Sequence, residues 1–246
     1  MIDSRNQRED AGPSEPPARL VTEWAAYGIV VAAARFVPVP LVDDLVRDRA
    51  TRLAVSRTLK AHGRGYGVSQ IEPVYGGAEG TAHQVRRYVA SIPRRVLLFP
   101  VRKYVALFGS VKGVPSDVLA TVLLARTLHR HLARGGLPEA APEKAREAEA
   151  RRLRRAYDAA LEELDLKVLT GALGESLSRG RDLTGAAVKA ARRLVRREDD
   201  DPVDDDRTVG AAAEGVAGVL SRHELAPAVA EFDARVDARY AELPER

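Results

Sequence analysis

Apolar residues along the chain either recur at three- and four-residue spacing or gather in short runs. Nowhere do they alternate with polar residues over the length of a strand. The pattern predicts an all-α protein, a bundle of about eight helices with apolar helical hairpins. The first helix is expected over about Arg19–Phe36, carrying Trp24 and Tyr27. The run Val37-Pro38-Val39-Pro40 ends it, because proline lacks the N–H a helix needs and holds the residue before it extended. A second helix, about Leu41–His62, puts Val42, Val46, Leu53 and Val55 roughly on one face. Asp43 and Asp44 suit the dipole of its first turn, and Asp43–Arg47 and Asp48–Arg52 are favourable i,i+4 pairs. Gly63 stops it.

Residues 63–81 read as a glycine-rich loop, followed by helices over about 82–92 and 101–108. Ser116 is the expected N-cap, with Asp117 behind it, of a helix reaching Ala133, which Gly135-Gly136 closes. From Pro142 to about Leu169 a charged, alanine-rich helix carries a narrow stripe of Leu153, Tyr157, Leu161, Leu164 and Val168. Residues 170–181, with three glycines, read as a turn before a basic helix over Leu183–Arg197. The run EDDDPVDDD is expected to be a solvated linker, and helices over about 209–221 and 223–242 complete the pattern. Residues 1–17 are polar, hold three of the 14 prolines and are expected to be a disordered tail. The organisation is then a tail (1–17), a basic apolar helical region (18–137), a charged helical region (138–198), an acidic linker (199–208) and C-terminal helices (209–246). One echo crosses these regions. V-P-x-x-D at Val39–Asp43 and V-P-x-D at Val114–Asp117 each open a helix, and the helices end in SRTLKAH (56–62) and ARTLHRH (125–131). It reads either as convergent capping in an Arg- and Leu-rich chain or as a duplicated helical hairpin.

Composition narrows the chemistry. The chain has no cysteine, which removes disulfides, thiolate metal sites and cysteine nucleophiles. No H-E-x-x-H, E-x-x-H, G-x-S-x-G or G-K-[ST] motif occurs. Gly63-x-Gly65-x-Gly67 follows a helix rather than a strand and reads as a turn. His129 and His131 point about 200° apart on a helix, so they cannot chelate one metal together. No cofactor is expected. Asp43, Asp44, His62 and His131 are the polar groups to follow should the fold bring them into one pocket.

The net charge of +4 hides a division. Residues 18–137 hold 18 basic and seven acidic side chains, whereas residues 199–246 hold five and 13. The apolar stretches Ala25–Ala34, Val96–Gly109 and Val118–Ala125 lie in the basic part, each shorter than the roughly 20 residues a membrane span needs. The N-terminus lacks the apolar core of a signal peptide, so a cytoplasmic location is expected. Together these point to a surface for the anionic headgroup region of a bilayer, with Arg35, Arg86, Arg87, Arg94, Arg95, Arg102, Lys103 and Lys112 as the contacting cations. The acidic run could fold back on this basic half and mask it. Arginine pairs are dispersed over many helices with few aromatics between them, which disfavours nucleic acid.

The first hairpin, an apolar helix, the turn V-P-V-P-L-V-D-D and a helix ending LKAHGRGYG, resembles the EcsC-like family. The resemblance covers about residues 20–67 and the second turn at 115–117. It implies an all-helical bacterial protein tied to membrane processes, and it transfers no site residues. The expected function is a non-catalytic cytoplasmic protein held at the inner membrane face by anionic lipid or by a membrane-bound partner. A soluble adaptor whose helices at 142–169 and 223–242 receive partner helices is the second reading, and a helical enzyme without a recognisable motif the third.

Overall fold

The computed structural model of the protein describes residues 15–37, 42–76, 108–180, 182–196 and 206–244. Among the described residues it is all-helical, with no strand. The helices are α1 (Ala18–Ala33), α2 (Val42–Ala61), α3 (Glu72–Tyr75), α4 (Val114–Ala133), α5 (Glu143–Glu163), α6 (Lys167–Ser178), α7 (Leu183–Arg196), α8 (Arg207–Leu220) and α9 (Ala226–Glu242). Short 3-10 turns cover Ala34–Phe36, Val68–Ile71 and Phe108–Ser110.

The centre of the bundle is α1. Every residue from Trp24 to Ala34 is buried. A helix apolar all round has to be surrounded, and α2, α4, α7 and α8 pack around this one. Each fully buried Ile29, Val30 or Val31 side chain contributes about 1.5–3 kcal/mol of transfer free energy. The crossing of α1 and α4 is close because position 28 is glycine. A Cβ there would lie 2.9 Å from the Val118 carbonyl oxygen and 3.0 Å from Val118 Cα. Those are backbone atoms and cannot turn aside, so Gly28→Ala is expected to part the helices at a cost of about 1–3 kcal/mol. A lower urea midpoint with an unchanged m-value would show it.

The apolar stretches Ala25–Ala34 and Val118–Ala125 are therefore core rather than surface, with only Ala120 within them left half-buried. No helix among the described residues is long and apolar enough to cross a membrane. Residues 1–14 of the expected tail, the helix expected over 82–92, all but Phe108 of that expected over 101–108 and all but Asp206 of the acidic run lie outside the described residues.

Four local expectations change. The fourth helix begins at Val114, not after Ser116, because Pro115 suits the first turn, whose N–H groups have no intrahelical acceptor. The long charged helix is two: α5 stops at Glu163, and α6 begins at Lys167 and takes in most of the supposed turn at 170–181. Tertiary contact overrides the low helix propensity of glycine there, since Gly174 lies directly against Gly109. The break also ends the stripe: Leu153 and Tyr157 are buried, while Val168 is 66 % exposed. Finally, Arg47 reaches across to Asp117 on α4 instead of back to Asp43.

Candidate anionic-surface contact

Arg35 sits just beyond α1, in the 3-10 turn, and Lys112 sits just before α4. The fold brings these two ends together. Gly113 caps α4 with φ +92°, and the Arg35 guanidinium lies where its Cβ would be, 2.8 Å from that position. Arg35 Nε donates to Asp117 Oδ2, and Arg47 Nη1 lies 3.4 Å from Oδ1. Two guanidiniums thus share one largely buried carboxylate, and the Asp117 bond raises the Arg35 pKa above its ordinary value. Both arginines keep about half of their side chains in water, and Lys112 beside them is exposed. Asp43, exposed at the start of α2, adds to the pull on Arg35, so Arg35, Arg47 and Lys112 face acids in nearly equal number here. Arg86, Arg87, Arg94, Arg95, Arg102 and Lys103 lie outside the described residues.

Elsewhere the basic region directs many of its cations inward. Arg49 donates to the carbonyls of Leu194 (2.7 Å) and Val195 (2.9 Å) and so caps the end of α7. Arg64 Nη2 donates to the Gly136 carbonyl. On α4, Arg126, Arg130 and Arg134 follow one another at four-residue spacing and meet Asp233 and Asp237 of α9. Arg126 grips Asp233 with Nε and Nη2 at 3.1 and 2.9 Å. Arg130 bridges Asp233 (3.1 Å) and Asp237 (2.9 Å), and Arg134 grips Asp237 with two bonds of 2.7 and 2.9 Å. Acids of α9 in the C-terminal region fold back on the basic half. Both sides of this seam have matching i,i+4 spacing in the sequence, and that match is the signal that could have revealed it.

Asp43, Asp44, His62 and His131 do not converge on one pocket. Asp43 and Asp44 open α2 and His62 follows its end, a separation of about 28 Å for a helix of this length. His131 faces α5, where its Nε2 is 2.7 Å from Glu149 Oε1. Glu149 is raised by burial but held below the usual carboxylate range by His131 and by the Leu137 N–H. His129 points the other way, as expected for an H-x-H pair, with its Nδ1 2.8 Å from His62 Nε2. No matching spacing in the sequence marks the pairing of His62 with His129. Two imidazoles make an incomplete set for zinc, and no group of three ligand-type side chains occurs among the described residues. No family model, curated protein or solved structure matches the chain.

Proposed function

We propose that the protein is a non-catalytic helical protein that associates peripherally with an anionic membrane surface, or with a partner bound there. The observation that carries this is the acid-poor region 18–137, with 18 basic against seven acidic residues, of which Arg35, Arg47 and Lys112 stand exposed at one end of the bundle. The sequence outside the described residues between 77 and 107 adds six cations and a single acid, Glu79, among apolar residues. The resemblance of the first hairpin to the EcsC-like family agrees with this reading.

Attachment is electrostatic first. The apolar stretches of α1 and α4 are interior, and Val168 is the only large hydrophobic residue exposed among the described residues. Each Lys or Arg near an anionic surface contributes about 1 kcal/mol, and salt weakens it over a Debye length of about 10 Å at 0.1 M. The adaptor reading is the weaker one, because the apolar stripes of α5 and α9 face each other, with Tyr157 edge-on to Phe232 at 5.9 Å. Flotation on vesicles tests the proposal. The protein is expected to float with vesicles containing phosphatidylserine, to stay behind with neutral ones, and to be released by high salt. Equal behaviour on both vesicles would sink it. Lys112→Glu with Arg35→Gln should weaken flotation several-fold at unchanged helicity.

A further inference from the structure

We propose that the His62–His129 contact is an acid-released latch that ties the end of α2 to the last turns of α4. The two ring nitrogens are 2.8 Å apart and the ring centroids 4.6 Å. At that distance one N–H fits between the rings, donated by either imidazole to the lone pair of the other. A pair carrying one proton more than its neutral state can keep the bond. A pair carrying two more has N–H facing N–H, and two cations with no room for water between them.

The surroundings favour the neutral pair. His129 is buried, 4 % exposed, with the Trp24 ring edge-on at 5.9 Å. Trp24 Nε1 donates to Thr58 Oγ1 (2.9 Å), and Thr58 Oγ1 donates to the Ala54 carbonyl (2.8 Å), so α1, α2 and α4 meet in one polar cluster. Burial pushes the His62 pKa below its ordinary value, and His129 and Arg64 push the same way. The other charged groups on the elements around the pair have contacts of their own or face water. On α1, Glu23 takes Arg19. On α2, Arg57 donates to Tyr27 Oη and Lys60 is exposed. In the loops, Glu139 accepts from the Gly65 N–H. On α4, Arg126 and Arg130 take the α9 carboxylates, and His131 takes Glu149 of α5.

The sign follows from linkage. A histidine whose folded pKa is depressed binds fewer protons folded than unfolded. Its contribution to stability is complete above about pH 6.5 and declines as pH falls from there toward the folded value. Acid therefore loosens the latch in a window where carboxylates are still ionised.

Trp24 is the only tryptophan, and a protonated imidazole at its ring edge quenches indole emission, so the full chain reports on its own latch. Emission titrated from pH 8 to pH 5 is expected to fall reversibly, with a midpoint below 6.5. In His62→Gln, which removes the repelling cation but keeps a hydrogen-bonding group, the midpoint should rise by about half a unit or more. Imidazole proton shifts of the unsubstituted protein read the same event without a variant: suppressed second protonation supports the latch. Flat emission across the range, a midpoint indifferent to His62→Gln, or two independent imidazole titrations at ordinary values would each overturn it.

Discussion

Asp233→Ala is expected to destabilise the protein by about 3 kcal/mol, because it strands the half-buried Arg126 and takes one of two carboxylates from the buried Arg130. Asp233 is largely buried and takes Arg126 through both oxygens and Arg130 through one. Arg130 is itself buried and keeps only Asp237 once Asp233 is gone. The loss should appear as a lower urea midpoint by circular dichroism. Removing Arg126 together with Asp233 should cost less than the sum of the two single changes, since the second removal takes away a charge the first had stranded. Asp165→Ala is the contrast: Asp165 pairs with exposed Lys167 and accepts its backbone N–H at the start of α6, so the loss should be much smaller. If Asp233→Ala behaves like Asp165→Ala, the seam is ornament on a fold held by its apolar core alone.

The seam also has its own pH window. Burial raises Asp237, but the bonds from Arg134 and Arg130 outweigh that and hold it below the usual carboxylate range. A depressed carboxylate contributes stability above its unfolded value of about 3.9 and loses it as pH falls through the folded one. Loss of the seam and release of the histidine pair are therefore separated on the pH axis, the histidines responding first on acidification.

The second large effect is expected at Trp24. Trp24→Ala should cost about 3–5 kcal/mol, through the lost transfer free energy and the cavity left among helices that cannot close on it. The ring is 0 % exposed, at the junction of α1, α2 and α4. Trp24→Phe should cost less, about 1–3 kcal/mol: it fills most of the volume but removes the donor to Thr58, whose hydroxyl still donates to the Ala54 carbonyl. An equal loss in both variants would mean that the hydrogen bond, not the volume, dominates.

Helix existence was legible because it rests on local signals. The apolar run of α1, the stop before Gly63 and the Gly135-Gly136 closure are all written in adjacent residues. The break at Leu164–Leu166 was not legible. Its one local mark is Asp165, which accepts the Lys167 N–H and is lost among the many charges of this stretch, and α6 runs helical through Gly171 and Gly174 with Gly174 against Gly109, a residue 65 positions earlier. Charge was legible as a sum and opaque as a destination. The acceptors of Arg49 and Arg130 lie on α7 and α9, more than 100 residues further along the chain. The divergence of His129 and His131 followed from helical period alone, whereas the partner of His129 depends on how α2 lies against α4.

The central place of α1 has a consequence for how the chain is made. Its walls include α7 and α8, which are synthesised some 150 to 200 residues after it. On a ribosome, an apolar helix therefore emerges long before two of the surfaces that cover it exist. Contacts of such sequence separation close late and slowly, and until then the helix is a target for chaperones or for aggregation. A chain truncated before α8 keeps its most apolar segment and loses part of its cover, so the first helix is not safe until α8 has been made.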